Sequence, residues 1–349
     1  MWRQSRQAEA RPACGGMVQL GCRAPQEPAE AAQRGVPLSS AVSEGVKTDT
    51  RLNASSDGHD ASRRKGWLAL IGTLCIWSGF ILASRAAGKG TLTAWDVTAL
   101  RLAMGGLLAL FFLPRVTLPP LKIMLPFALL GGIGYACFIY SGFRLAPAAH
   151  GAILAPGCLP LSTAVLTWLF FKKSPSRPQA LALLGMLAGI ALILIDSVTA
   201  PGRHITGWQL LGDGLFICAS YTWATFTLLL RSHPMPPLSA AVATVLCAAV
   251  LYLPVWWLFL PSNLPTAAQG EIVFQTLFQG VLVVFVALIL FAQAVRHLGP
   301  QVVALTLALV PVVASLAAVP LLGEPLSLLA LAGLAAVTFS AMLGVRVSR

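Results

Sequence analysis

Six side chains stand out because each brings polarity or charge into a long apolar stretch: Arg101, Tyr140, His150, Asp213, Gln275 and Gln279. A guanidinium can grip a carboxylate through two parallel hydrogen bonds, so Arg101 is a candidate for holding an anionic group. Asp213 is a candidate to neutralise Arg101 when no solute is bound; a purely structural Arg101–Asp213 pair, or side chains that snorkel to the headgroups, accounts for the same two charges. An imidazole titrates near neutral pH, which makes His150 a candidate proton carrier. A ring that is simply hydrogen-bonded is the plainer alternative. Gln275 and Gln279 are one helical turn apart and present their amides on one face, and Tyr140 adds a hydroxyl. Trp77 and Trp223 each combine an apolar body with one N–H donor, suited to lining a cavity or to packing between helices. These eight residues are the expected solute-binding set. No catalytic and no metal-ligating set is expected.

Their surroundings explain why such residues need a reason to be there. Of 349 residues, 57% are hydrophobic and 10% charged, against roughly 25% charged in an ordinary globular chain. The charges are also unevenly spread: residues 66–349 carry only fourteen basic and five acidic side chains. A soluble body of that length could not cover its surface with so few. The composition therefore points to an all-α polytopic membrane protein, with the lipid bilayer as its first partner. The net charge of +12 does not signal nucleic acid, because the basic residues sit singly at the ends of apolar segments, where they set topology. No secretory signal is expected, since Met1–Leu20 carries Arg3, Arg6, Glu9 and Arg11 and no apolar run. Cys75, Cys137, Cys158, Cys218 and Cys247 fall inside apolar stretches without metal-ligand spacing and read as small packing residues.

About 20 apolar residues cross the hydrocarbon layer as a helix. Ten segments meet that length: about 66–84, 94–113, 123–143, 147–171, 178–195, 208–230, 237–259, 272–294, 299–321 and 326–345. With the amino terminus inside, the cytoplasmic ends hold Arg63, Arg64, Lys65, Arg115, Lys122, Lys172, Lys173, Arg177, Arg231, Arg296, Arg346 and Arg349. The other side holds Arg85, Lys89, Arg144 and Arg203. This bias places both termini in the cytoplasm, and a bacterial inner membrane suits such a chain. The tail, residues 1–65, is polar and almost free of aromatic residues, so it is expected to be disordered. Residues 66–195 and 207–345 then form two five-span units.

The second unit repeats the first. Trp77, Phe80, Leu82 and Arg85 match Trp223, Phe226, Leu228 and Arg231 at a constant offset. Leu145-x-Pro147 opens span 4 as Leu298-x-Pro300 opens span 9, and Pro160 corresponds to Pro311. Five spans is an odd number, so the second unit must lie upside down relative to the first. Inverted repeats suit alternating access, with a site near the midplane between the halves.

The ten-span pattern, Trp77-Ser78 and Trp223-Ala224, Arg101 in span 2, and Leu322-Gly323-Glu324-Pro325 before the last span resemble the EamA-like drug/metabolite transporters. The resemblance covers residues 66–345. It implies a transporter of a small metabolite, amino-acid-like compound or drug, in a family that exports or imports such compounds; export is the direction expected here. One departure concerns span 5: family members often carry Gly-Glu before it, where this chain has Lys172-Lys173-Ser174-Pro175.

Several further expectations follow from position. Asp96, at the edge of span 2, reads as solvated. Glu324 reads as a loop carboxylate capping the start of span 10. Spans 5 and 10 lack polar groups in their middles, and Gly185-x-x-x-Gly189 permits close approach, so they read as packing or homodimer elements and not as cavity walls. An enzyme is disfavoured because His-Glu-x-x-His, Gly-x-Ser-x-Gly and P-loop patterns are absent. Without a P-loop the energy source would be an ion gradient or exchange. No cofactor is expected. The rival reading is a non-transporting membrane receptor or a lipid-interacting scaffold.

Overall fold

Backbone amides in hydrocarbon have no water to bond, so a chain that crosses it must satisfy them within helices or a closed barrel. The computed structural model describes residues 38–199 and 207–347, and every regular element among them is helical. Nine helices among the described residues are long and apolar enough to cross a membrane. Spans 1 to 5 are Ser62–Lys89, Ala94–Arg115, Leu121–Leu145, Ala148–Phe171 and Arg177–Asp196. Spans 6 to 9 are Gly207–Ser232, Pro237–Phe259, Gln269–Leu298 and Val302–Leu322. The tenth segment, Leu328–Gly344, is a shorter apolar helix. Most of the tail expected to be disordered lies outside the described residues; helix is assigned from Leu38 into span 1.

The two halves share irregularities as well as spans. Span 3 widens into a π-helix over Ala128–Gly134, and span 8 does so over Phe278–Val286. Span 4 breaks at Cys158 into Ala148–Gly157 and Leu159–Phe171. Span 9 breaks likewise, between Pro300–Leu307 and Val310–Leu322. In each case a proline, Pro160 or Pro311, sits at the start of the second piece. Its missing N–H and its ring prevent the helix from running through.

The ends of spans 4 and 9 also correspond. Gly323 closes span 9 with φ +64°, and Lys172 closes span 4 with φ 54°, the one non-glycine residue with positive φ among those described. Glycine takes that left-handed turn freely, whereas a Cβ meets the following carbonyl there. Lys172 therefore holds a glycine's conformation at a cost.

Core packing positions the polar groups. Phe143, Ile153, Leu154, Ile193 and Phe216 are buried in one cluster that draws on both halves, and Leu102, Val242, Tyr252 and Phe285 lie in a second. Span 5 and the shorter helix Leu328–Gly344 pack along each other within the chain. A Cβ on Gly185 would strike Ser340, and one on Gly189 would strike the Gly333 carbonyl and Val337. The glycine face is thus consumed by the helix Leu328–Gly344 of the same chain, as close approach requires. Large apolar side chains such as Leu107, Phe170, Leu181, Val250 and Phe339 face outward, as a lipid-facing surface demands. Cys75 and Cys218 are also exposed on that surface, while Cys158 and Cys247 are buried.

Replacing Lys172 with glycine should relieve the strained cap. The expected gain is about 1 kcal/mol, read as a higher thermal midpoint of the purified protein in detergent; an unchanged or lower midpoint contradicts the strain.

Candidate functional site

The polar side chains gather at one end of the bundle, where spans 1, 3, 5, 7 and 9 finish and the even-numbered spans begin. There they form two separate groups.

The first group is a hydrogen-bonded row joining spans 1, 2, 3 and 8. Arg101 donates from Nη1 to the Tyr140 hydroxyl at 3.3 Å, and that hydroxyl donates to Gln279 Oε1 at 3.1 Å. Gln279 Nε2 donates to Gln275 Oε1 at 3.2 Å and to Ser84 Oγ at 3.3 Å. Gln275 Nε2 closes the row on the Ala83 carbonyl at 2.9 Å. Both glutamines are fully buried, which such a row permits because their amides are satisfied. Gln279 lies inside the π-helical stretch of span 8, so the local widening sets where its amide points. The guanidinium also lies 5.9 Å above the Phe80 ring. No carboxylate pairs with Arg101 among the described residues.

Asp213 accordingly does not neutralise Arg101. It belongs to the second group, where His150 Nδ1 lies 2.9 Å from Asp213 Oδ1 and Nε2 lies 3.7 Å from Asp196 Oδ2. Ser327 donates to Asp196 Oδ1 at 2.5 Å. His150, Asp196 and Asp213 are 2%, 3% and 0% exposed. Burying two carboxylates is costly unless they are paired and hydrogen-bonded; here the imidazole hydrogen-bonds Asp213 and faces Asp196, which accepts from Ser327. Asp196 escaped the sequence reading because it is the last residue of an apolar run; its place beside His150 needs spans 4 and 5 to be packed.

Span 5 ends and the helix Leu328–Gly344 begins at a cavity of about 230 Å³ lined by His150, Asp196, Ala318, Glu324, Ser327 and Ala330 among others. The expectation that spans 5 and 10 stay out of any cavity wall fails at these ends, because Asp196, the last residue of span 5, and Ala330, in the first turn of Leu328–Gly344, line the cavity. Glu324 differs from expectation as well. It caps span 4, accepting from the Ala148 N–H at 2.8 Å, and pairs with Arg85 at 2.6 Å and Lys89 at 2.9 Å. Arg85 in turn donates to the Phe143 carbonyl at 2.6 Å. This clasp ties the ends of spans 1 and 3, the start of span 4 and the loop before span 10. Burial would raise the Glu324 pKa, but the Ala148 N–H, Lys89 and Arg85 outweigh it and hold the carboxyl below its ordinary value.

Asp96 is buried and not solvated. It forms a capping box with Thr93 and accepts from Trp256 Nε1 at 3.1 Å and the Asn263 N–H at 2.9 Å. Trp77 stacks on Phe291 with centroids 5.7 Å apart, and Trp223 packs between Tyr135 and Phe226 at 4.9 and 5.3 Å. Both indoles therefore pack against aromatic side chains; neither joins either polar group.

Helices with lipid-facing apolar surfaces, buried polar rows and a repeated pattern of breaks define a multi-pass membrane protein with a polar interior. The EamA-like transporter family model matches residues 64–195 and again 210–346. The chain belongs to the EamA-like transporter family, and with that to membrane proteins that move small molecules. It is 27% identical over 212 residues to the uncharacterized transporter YwfM of Bacillus subtilis (strain 168), covering 58% of this chain and 67% of that protein. A solved protein crystal structure shares the fold, with a TM-score of 0.56 and 20% identity over 80% of this chain and 95% of its own.

The lowered Glu324 pKa fixes the sign of a pH effect. Its contribution to stability is complete above the ordinary glutamate range, about 4.3, and is lost as pH falls through the lower folded value. Glu324→Gln should lower the thermal midpoint at neutral pH, by on the order of 2 kcal/mol in stability. The gap between variant and wild type should close on acidification below about pH 4. A variant as stable as wild type at pH 7 contradicts the clasp.

Proposed function

We propose that the protein is a secondary transporter that carries a small carboxylate-bearing solute, amino-acid-like metabolite or drug, across a bacterial inner membrane by alternating access, working as an exporter. The observation that carries this reading is the guanidinium of Arg101. It has five N–H donors, and Tyr140 takes one of them. Among the described residues no carboxylate neutralises it. A cation in a transmembrane helix costs roughly 2.5–3.5 kcal/mol on insertion scales. A bidentate carboxylate from the solute supplies the missing charge.

On this reading the shorter segment Leu328–Gly344 is the tenth span. The two five-helix units are inverted relative to each other, and both termini face the cytoplasm. The shared π-helical stretches and proline breaks support a common origin of the halves. Tyr140, Gln275 and Gln279 orient Arg101 and offer amide and hydroxyl groups to the rest of the solute. The solute passes through chemically unchanged. Pairing of two chains through spans 5 and 10 would use outward residues such as Leu181 and Leu184, since the glycine face is taken.

Reconstituted protein should exchange at least one member of a panel of labelled amino acids and carboxylate-bearing drugs across liposomes. Arg101→Ala should cut that exchange at least tenfold while leaving the protein monodisperse. Arg101→Lys should restore it only in part, because an ammonium keeps the charge and loses the planar fork. Undiminished exchange by Arg101→Ala removes Arg101 from the solute site.

A further inference from the structure

A titratable cluster next to a cavity is left over once Arg101 and its row are assigned to the solute. His150 sits in the first turn of the short first piece of span 4, Ala148–Gly157, which the break at Cys158 separates from Leu159–Phe171. Its two ring nitrogens face carboxylates on two other spans: Asp213 of span 6 at 2.9 Å and Asp196 at the end of span 5 at 3.7 Å. The cavity reaches His150 and Asp196 from the side of Glu324 and Ser327. Other charges described at this end are committed elsewhere. Arg85 and Lys89 are bound to Glu324, and Arg144 donates to the Leu92 carbonyl.

We infer that His150, held between Asp213 and Asp196 at the wall of this cavity, is the group that takes up and releases the proton coupled to solute movement. The inference rests on the transporter reading and adds its energy source. A neutral imidazole can donate from one nitrogen only, whereas the imidazolium donates from both. At 3.7 Å the Nε2–Asp196 contact is longer than a hydrogen bond. Proton uptake at the ring makes both nitrogens donors and draws Asp196 in; release lets that contact open. The proton enters through the cavity, resides on a ring nitrogen and leaves as the same proton. The net charge of His150, Asp196 and Asp213 alternates between −2 and −1, with both aspartates remaining carboxylates. Glu324 keeps its own charge because its clasp holds it ionised. The break at Cys158 lets the His150 piece of span 4 respond without moving the rest of the span.

The test uses the full-length protein in liposomes that enclose a pH-sensitive dye, with the labelled amino acid from the panel that exchanges fastest. Two readouts are taken together: labelled solute counterflow, and the proton flux that accompanies net solute movement. Wild type should move protons in fixed ratio to solute, and Asp196→Asn should lower that ratio at least fivefold at whatever solute rate remains. His150→Gln should do the same and flatten the dependence of net flux on external pH between about 5.5 and 8. Wild-type solute flux with no accompanying proton movement overturns the inference and leaves the transporter reading standing. So does a wild-type proton ratio in both variants. Monodisperse variants that both lose counterflow completely also overturn it, since the cluster would then be part of the solute site. If no member of the panel exchanges through wild type, the transporter reading itself falls, and the coupling inference with it.

Discussion

Hydrocarbon offers no partners for polar groups, and that constraint arranges the interior of this protein. Carboxylates buried at one end of the bundle are each met by donors from a different part of the chain. Asp96 takes Thr93, Trp256 and Asn263; Glu324 takes Arg85, Lys89 and the Ala148 N–H; Asp213 takes His150. Each of these sets crosses between elements far apart in sequence, so they fix which span ends lie side by side. Apolar packing along the helices is less selective, because a face of leucine and alanine fits many neighbours. The buried polar sets specify the arrangement, and the apolar core supplies the bulk around it.

Much of this was legible in the sequence, and the reason is the bilayer. Long apolar runs announced the helices, and landmarks such as Pro160 and Pro311 announced the repeat that the structure shows as matching helix breaks. The grouping of Arg101, Tyr140, Gln275 and Gln279 at one level followed from counting residues along spans. What the count could not supply was pairing. Depth along a helix is a one-dimensional quantity, whereas Asp213 chooses between Arg101 and His150 by the angle at which span 6 faces its neighbours. Asp96 and Glu324 were misjudged, and Asp196 was passed over, for a related reason. Each sits at the end of an apolar run, where sequence reads as solvent-exposed loop, and each is buried because other span ends close over it.

The π-helical stretches and the broken spans do related work. A π-turn or a proline break releases backbone groups from the regular ladder and re-aims the side chains that follow. In span 8 the widened stretch carries Gln279 into the row with Tyr140, and in span 4 the break isolates the short piece bearing His150. Both irregularities recur in the opposite half at corresponding positions. There, the residues at the equivalent places are apolar or small, so the architecture is duplicated and the chemistry is not.

That asymmetry reaches its clearest form at the caps after spans 4 and 9. The pieces Leu159–Phe171 and Val310–Leu322 end alike in a left-handed residue, Lys172 in one half and Gly323 in the other. The next residue is Glu324 after span 9 and Lys173 after span 4, while Arg85 of span 1 corresponds to Arg231 of span 6. The clasp of Arg85 with Glu324 therefore has as its counterpart an arginine and a lysine, two like charges, both exposed and without an ion pair among the described residues. One end of the bundle is tied by opposite charges, and the corresponding residues of the other half carry equal ones. Two halves of common design thus carry different charges at corresponding places. In the arrangement seen here the Arg85–Glu324 tie joins the end of span 1 to the segment that precedes Leu328, a link the other half does not repeat.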